Sequence, residues 1–370
     1  MSGTSMDGVD VALIETDGDT ITALGPMMGF SYDVSERQLL REAVDFARGV
    51  TRRDDRSGVL QLAEQMVTTR HAACVRLFLE ATGTDAGSVE VVGFHGQTVV
   101  HRPEAGFTVQ IGDGERLAQE LDLPVVYDFR FNDMQEGGQG APLVPIYHRA
   151  LALYAGLGLP AAFINIGGIA NVTFVPDGGA ERLLAFDAGP GNCLLDDWSL
   201  RHTGEPMDRG ARLAMSGTVN ADALQALLRH PYFKAAPPKS LDRNTFSLDP
   251  VEGLSAADGA ATLTAFTVAS IGAAVRAFPR PPAAWVVTGG GAKNPHMLAG
   301  LQRVLPGRVL TADELGLSTE FMEAQAFAYL AVRKLNALPS SFPGTTGAAG
   351  PVIAGRVVEP KQVEQELYSA

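Results

Sequence analysis

Two periodicities of apolar residues alternate along the chain. VDVALIET (9–16) alternates apolar and polar residues, as a half-buried strand leaving a Gly-rich turn does. SERQLLREAVDFARGV (35–50) and LQLAEQMVTTRHAACVRLFLEATG (60–83) have helical spacing, and the second stops at Gly83, where helices tend to end. VEVVGFHGQTVVHRP (89–103) and TVQIG (108–112) read as strands, GERLAQELDL (114–123) as a helix and PVVYDF (124–129) as another strand. FNDMQEGGQGAPLVP (131–145) then breaks both patterns with its glycines and prolines, which predicts irregular backbone serving as a hinge or cleft wall.

The second half repeats the alternation. FINIGGIANVTFV (163–175) reads as strand, Gly turn, strand; LLAFDAGPGNCLLDDWSLRHTG (183–204) as strand, turn, helix. GAATLTAFTVASIGAAVRAF (259–278) is a small-residue helix, PAAWVVTGGGAKNPHMLAGLQRVL (282–305) repeats strand, Gly turn, helix, and 318–338 is a long helix. The Pro/Gly-rich tail either crosses back to the first half or hangs loose. Strand and helix in this mixture predict an α/β fold in two lobes, 1–131 and 132–370, each with a Gly hairpin, near residues 8 and 168.

Length and composition agree with that picture. The 370 residues exceed what one compact core usually fills, and 46% apolar with 19% charged residues is a globular balance. Net charge is -13 (29 Lys+Arg against 42 Asp+Glu) with no Lys/Arg-rich run, so neither a nucleic-acid nor an anionic-membrane partner is expected. Two cysteines, Cys74 and Cys193, show no CxxC or Cys/His spacing; a reducing, cytoplasmic compartment is expected, with no disulfide or structural zinc. The N-terminus has no basic region ahead of an apolar run and does not read as a signal peptide. The uncharged stretch between Arg149 and Asp177 is long enough to span a bilayer, but Gly156, Gly158 and Pro160 interrupt it.

Four Gly-rich turns follow or precede strands: GTSMDGVD (3–10), NIGGIAN (165–171), DAGPGN (187–192) and TGGGAKN (288–294). Backbone N–H groups converge on an anion only where no Cβ blocks the approach, so such turns suit phosphates, although each alone is an ordinary turn. No GxxxxGK[ST], no GxGxxG after a strand and no protein-kinase signature is present. What remains is hydroxyl- and amide-lined turns in which Thr4 and Ser5 donate to phosphate oxygens and Asp7 or Asp10 holds Mg²⁺ through water.

The segments MSGTSMDGVDVALI, GFHGQTVVHRP, YDFRFNDMQEGGQGAPLVP, INIGGIANVTF, FDAGPGNCLLD, VVTGGGAKNPHM and EAQAFAYLAVRKL resemble, in order and nearly throughout the chain, the anhydro-N-acetylmuramic acid kinase family. The resemblance implies the two-lobed sugar kinase/Hsp70/actin-like fold with an ATP cleft between lobes. It also implies an enzyme that uses ATP, Mg²⁺ and water to open 1,6-anhydro-N-acetylmuramic acid, a recycled cell-wall sugar, and phosphorylates O6, with a homodimer as the family expectation. Carried over by residue, Gly3, Thr4, Ser5, Met6, Asp7, Gly8, Val9 and Asp10 form the ATP phosphate segment. Gly167 and Gly168 form the second-lobe phosphate hairpin, and Gly289, Gly290 and Gly291 with Asn294 the turn near the adenosine. Asp187 matches the catalytic aspartate, Glu323 a supporting glutamate, and Thr98 and Arg130 contact the sugar.

Plainer readings stand beside these. Asp187 serves equally as an N-cap, Asp7 and Asp10 as turn residues, and Glu323 as a solvated helix carboxylate. Arg130 pairs with Asp128 or Asp133, or else contacts the sugar's lactyl carboxylate. His95 reads as a satisfied buried histidine more than as half of a metal pair with His101, and Cys193 as a small buried residue more than as a reactive thiol. Lys239 and Asp242 in PPKSLDRNTF are structural or cleft-lining.

The family's usual short apolar strand ahead of MSGTS is missing before Met1, which predicts a first hairpin lacking one arm and either a start further upstream, the favoured reading, or a poorly anchored phosphate loop. Glu136 and Thr319-Glu320 also depart from the family pattern. Rival functions are an ordinary sugar-hydroxyl kinase without ring opening, a non-catalytic ATP-clasping protein, and a glycosidase, which leaves four phosphate-type turns unexplained.

Overall fold

The structure is a computed structural model that describes residues 1–3 and 5–361; Thr4, a predicted phosphate contact, lies outside the described residues. Strand β1 (Gly8–Thr16) turns through Asp17, whose carboxylate accepts the Asp19 and Thr20 N–H groups, into β2 (Ile21–Ser31). The sequence did not announce β2 because it carries Gly25, Pro26 and Gly29. Pro26 is accommodated where the β1–β2 register shifts between Ala12 and Ile14, a break in the ladder that asks no N–H of it. The strand pair near residue 8 therefore lies beyond the Gly turn rather than on both sides of it.

Helix α1 (Val34–Ala47) starts at a capping box in which Asp33 accepts from Glu36 N–H and Glu36 returns the bond. Helix α2 (Val59–Thr82) ends at left-handed Gly83, as its sequence predicts. Strands β3 (Val92–Phe94), β4 (Gln97–Arg102) and β5 (Phe107–Ile111), helix α3 (Gly114–Leu121) and strand β6 (Val125–Tyr127) follow. Left-handed Asp128 then opens α4 (Phe129–Gln135), so a helix takes the start of 131–145, while 136–144 is the irregular chain that its Gly/Pro content predicted. Next come α5 (Pro145–Tyr154), β7 (Ala161–Ile166), β8 (Ile169–Val175), β9 (Leu184–Pro190), α6 (Cys193–Thr203), α7 (Arg212–Met215), α8 (Ala221–Leu228) and α9 (Ala256–Ala274). The chain closes with β10 (Ala284–Thr288), α10 (Pro295–Val304), β11 (Arg308–Thr311), α11 (Met322–Leu335), α12 (Pro343–Thr346) and β12 (Arg356–Val358).

Two compact units result. Unit 1 holds Met1–Tyr147, Phe321–Pro343 and the described residues from Gly347 on; unit 2 holds His148–Glu320 and Gly344–Thr346. The division falls at Tyr147 rather than after residue 131, and the returning chain rejoins unit 1. The stretch 131–145 is no free linker: Asp133 accepts from Gly140 N–H at 2.7 Å and from the Ser341 hydroxyl, and Glu136 O accepts from Ala349 N–H at 3.0 Å.

In unit 2 a five-stranded sheet runs β11-β10-β7-β8-β9, parallel across its first three strands and antiparallel from β7 to β9. Helix α9 is apolar and long enough to cross a membrane by composition, but Phe266, Val268 and Ile271 pack it into unit 2 against the sheet and its neighbouring helices.

In unit 1 a sheet runs β12-β6-β3, β4 pairs with β5, and β1 with β2. Its core gathers Val9, Leu40, Leu60, Val67, Cys74, Phe94 and Ile111. Met1 and Asp10 exchange backbone bonds, N to O at 2.8 Å in both directions, while residues 1–3 and 5–7 form no strand. Residues of β1 and of 88–94 line a cavity of about 410 Å³, with α2 and α11 also forming its wall.

Helix α11 packs on β3 so closely that a Cβ on Gly93 would sit 2.1 Å from Phe327 O. Gly93→Ala therefore forces the helix off the strand, a destabilisation of about 1–3 kcal/mol. A Gly93→Ala melting temperature equal to the parent's, read by circular dichroism, would show that this contact has slack.

Candidate active site

Three of the four Gly turns come together in unit 2, at the C-terminal end of β7. The β7–β8 turn carries Gly167 and exposed Gly168 at its tip. The chain leaving β9 is laced to it: Gly191 N–H donates to Gly168 O at 2.9 Å, Asn192 N–H to Gly167 O at 2.8 Å, and Cys193 N–H to Gly168 O at 3.2 Å. A Cβ on Gly191 would lie 2.2 Å from Gly167 O, so glycine is required for the two turns to touch. The Asn192 side-chain amide donates to Ile166 O and Gly167 O, both at 3.0 Å, instead of capping α6.

The third turn, after β10, has Gly289 at φ 76°, where a Cβ would stand 2.4 Å from Asn165 Oδ1, and Gly291 is pressed on Ile166 in the same way. Gly290 stays exposed. Asn294, predicted near the adenosine, spends its Oδ1 on Met297 N–H at 2.9 Å as the N-cap of α10 and is buried.

Asp187 lies inside β9, so it is not the N-cap of α6; the residue at the cap position is Asn192. The β8–β9 register shifts between Ala170 and Asn171, and Asp187 opposes Asn171 at that shift. Its backbone N–H turns to Lys239 O at 3.0 Å, its carbonyl accepts the Tyr232 hydroxyl at 2.6 Å, and its Oδ2 accepts Leu241 N–H at 2.7 Å. Burial pushes the carboxyl up to about 6, against the pull of the Leu241 amide. A carboxylate in this state accepts a proton readily near neutral pH.

The fourth turn belongs to unit 1. Met6, at φ 54°, donates its N–H to Gly3 O at 3.2 Å, and Ser5 Oγ donates to Asp7 Oδ1 at 2.7 Å on an exposed surface. A Cβ on Gly8 would meet Phe30 O at 2.4 Å, so Gly8 is where β1 closes on β2. Val9 faces the core with no exposed surface, which leaves it nothing but backbone to offer a ligand. Asp10 is half-buried in β1.

The turn is pinned from below by residues to which the motifs gave no role. Buried Gln97 accepts the Ser2 hydroxyl at 2.6 Å and donates to Gly3 O at 3.2 Å, and Tyr32 OH donates to Ser2 Oγ at 3.1 Å. The signal was available only as a glutamine two positions ahead of the apolar pair Val99 and Val100.

Also in unit 1, Arg130 pairs with neither Asp128 nor Asp133. Its Nε and Nη2 donate to His95 Nε2 at 3.2 and 3.0 Å, and its Nη1 donates to Gly140 O at 2.7 Å. Asp128 pairs instead with Arg53 at 2.6 Å. His95 Nδ1 lies 2.8 Å from Gly96 O and donates to it, so Nε2 is the acceptor and the ring is neutral. Burial and the Arg130 charge hold the His95 pKa well below its usual value, which makes it a satisfied buried histidine.

Burial also lowers the Arg130 pKa, opposed by the charges of Glu323 and Asp133. Three of the five guanidinium N–H groups are used in these bonds, leaving two for a planar anion. A Cβ on Gly138 would lie 2.2 Å from Asp133 Oδ2, so the GGQG stretch wraps Asp133 and brings Gly140 O to Arg130. Thr98 is half-buried and its hydroxyl accepts from Gln110 Nε2 at 3.2 Å, while Glu323 is exposed in the first turn of α11.

Cys193 is buried and burial pushes its thiol up, so it does not act as a thiolate. Among the described residues no group of three or more His, Cys, Asp or Glu is placed to hold a metal ion. Glu320 is paired with Lys293 at 3.0 Å and Thr319 donates to Asp313 at 3.2 Å, while Glu136 is exposed.

A family model described as anhydro-N-acetylmuramic acid kinase matches residues 1–360. Among curated relatives, the anhydro-N-acetylmuramic acid kinase of Nitrobacter winogradskyi is 53% identical over 361 residues, covering 97% of this chain and 98% of that one. The protein of the same name from Rhodopseudomonas palustris (strain HaA2) is 51% identical over 361 residues with the same coverage. Its namesake from Methylobacterium nodulans is 50% identical over 370 residues, again covering 97% and 98%.

The carboxyl shift at Asp187 has a cost for the fold. Its folded value, about 6, lies above the ordinary 3.8, so the folded state binds the proton more tightly, and stability is lost as pH rises through that window. Above it the ionised carboxylate costs roughly 2–3 kcal/mol. Asp187→Asn is therefore expected to melt above the parent at pH 7.5, by an amount that shrinks at pH 4.5; a variant no more stable at pH 7.5 would remove the strain.

Proposed function

The chain belongs to the anhydro-N-acetylmuramic acid kinase family, and we propose that it is an ATP-dependent kinase that hydrolytically opens 1,6-anhydro-N-acetylmuramic acid and phosphorylates O6. The product is N-acetylmuramic acid 6-phosphate. The observation that carries this reading at the level of residues is the half-buried Asp187 carboxylate with its pKa near 6, in the same unit as three phosphate-type Gly turns.

Asp187 takes a proton from water as the water oxygen attacks C1. The C1–O6 bond breaks, its electron pair goes to O6, and O6 attacks the γ-phosphorus as the bond to the β-phosphate oxygen breaks and ADP leaves. Proton, electron pair and leaving group balance, and one base suffices because the alkoxide released from C1 is itself the nucleophile. A base near pKa 6 is ionised at cytoplasmic pH yet basic enough to assist.

The remaining residues bind and orient. Exposed Gly168 at the tip of the β7–β8 turn and the exposed Ser5–Asp7 turn lie open to phosphate oxygens, and exposed Gly290 beside half-buried Gly289 offers a side-chain-free surface to the adenosine. Arg130 directs its two remaining N–H groups at the lactyl carboxylate, with the neutral His95 ring fixing the guanidinium plane, and Thr98 offers its hydroxyl to the sugar. Glu323 acts on the Arg130 charge and helps orient O6 or the water.

Exposed Asp7 and half-buried Asp10 fit a hydrated Mg²⁺, an ion that usually takes one or two carboxylates and keeps several waters. When bound it would neutralise charge on the phosphates. We further propose a cytoplasmic location and a role in recycling cell-wall amino sugars, with two buried thiols suited to a reducing compartment.

Incubation with Mg-ATP and 1,6-anhydro-N-acetylmuramic acid in ¹⁸O-water is expected to give a sugar phosphate carrying one heavy oxygen, at C1. An unlabelled sugar phosphate would mean ordinary hydroxyl phosphorylation, and no phosphorylated sugar would exclude the reading. Because Asp187 works ionised, kcat/KM is expected to fall below an apparent pKa of about 6 and stay level above it. Asp187→Asn is expected to lose turnover, by about 10²-fold or more, while isothermal titration still detects ATP binding.

A further inference from the structure

The three bonds that seize Asp187 all come from one segment of unit 2. Tyr232 holds its carbonyl at 2.6 Å, Lys239 O holds its N–H at 3.0 Å, and Leu241 N–H holds Oδ2 at 2.7 Å. The segment is itself tied across: Lys239 Nζ donates to Tyr232 O at 3.1 Å and stands 4.3 Å from the Tyr232 ring centroid. Tyr232 is anchored in turn by edge-on contacts with Phe233 and Phe246, and those rings pack on Phe266 of α9.

Nothing in strand pairing requires this arrangement. A β-bulge frees the Asp187 N–H from the ladder, and the loop takes it up. A base has to be aimed as well as dry, and a carboxylate with one oxygen fixed by a backbone amide has a single oxygen left to receive a proton. Oδ1 has no partner among the described residues.

We propose that Tyr232 and Lys239 are positioning residues for Asp187, holding the loop whose Leu241 amide occupies Oδ2 so that Oδ1 is the oxygen that takes the proton from water. This rests on the reading of Asp187 as the base. Both act on Asp187 through protein contacts. Lys239 keeps Tyr232 in place through its carbonyl and ring face, and Tyr232 locks the Asp187 carbonyl so that the Leu241 bond stays short. Burial and the Asp187 charge keep the Tyr232 hydroxyl protonated, and so a donor, throughout the working range.

The test is Tyr232→Phe, Lys239→Met and Lys239→Arg in the full-length chain, read by steady-state kinetics across pH and by ¹³C NMR of labelled aspartate, with the Asp187 signal assigned by its loss in Asp187→Asn. Tyr232→Phe is expected to lower kcat by about 10- to 100-fold with KM for ATP and sugar little changed, as a misaimed base would. The Asp187 titration and the acid limb of the pH profile are expected to move up by about half a unit or more, because the Leu241 bond that favours the ionised form weakens. Lys239→Met should show the same pattern more weakly, and Lys239→Arg, which keeps a cation over the ring, should restore much of it.

An unmoved Asp187 titration in both Tyr232→Phe and Lys239→Met overturns the proposal, as does a loss of kcat matched by a rise in KM with the acid limb in place. If the parent phosphorylates no anhydrosugar, the functional reading fails, and the NMR titration still decides whether the segment positions Asp187.

Discussion

A carboxylate that accepts a proton near neutral pH has to be kept partly dry, and drying a charge is unfavourable unless something offsets it. Unit 2 is arranged around that conflict at Asp187. The β8–β9 bulge removes the backbone N–H from the ladder, the loop from Tyr232 to Leu241 supplies the missing bonds, and the amide of Leu241 gives the ionised form one hydrogen bond while burial withholds the rest. Lacing the Gly167–Gly168 turn to the chain at Gly191 and Asn192 fixes the end of the strand that carries it. The lacing leaves no room for a Cβ at Gly191, and the Asp187 carboxylate depends on the backbone donor of Leu241, so glycine and irregular backbone collect here.

Much of this was legible beforehand. The hairpin at 163–175, the helix ending at Gly83 and the buried strand at β10 followed from periodicity, because in each a strong apolar pattern and a Gly stop agree. Strand β2 was not legible, since its proline and glycines look like turn residues until a bulge is there to receive them. Helix α4 was hidden for a related reason: GGQG and two prolines follow it closely, and they swamp a seven-residue helix. The division into units was misplaced with it, because a Gly/Pro-rich stretch that wraps a buried aspartate looks the same in sequence as a hinge.

The site divides along similar lines. Gly turns are visible as motifs, so the three at the end of β7 were found. What sequence reading could not supply was partnership over distance: Arg130 with His95, 35 positions away, and Ser2 with Gln97, 95 positions away. Asp133 looked like a partner for Arg130 because it lies three residues on, yet its carboxylate is taken by Gly140 and Ser341. Asn294 and Val9 carry structural duties that motif membership did not reveal, an amide oxygen that caps a helix and a side chain packed in the core.

Both cysteines of the chain are buried, and burial pushes both thiols up. Alkylating reagents and peroxide attack thiolates at accessible sulfur, so the native chain is close to silent toward them. A single cysteine placed on the surface of either unit would be the one reactive thiol, and a maleimide dye or spin label could be attached there without first stripping out Cys74 and Cys193.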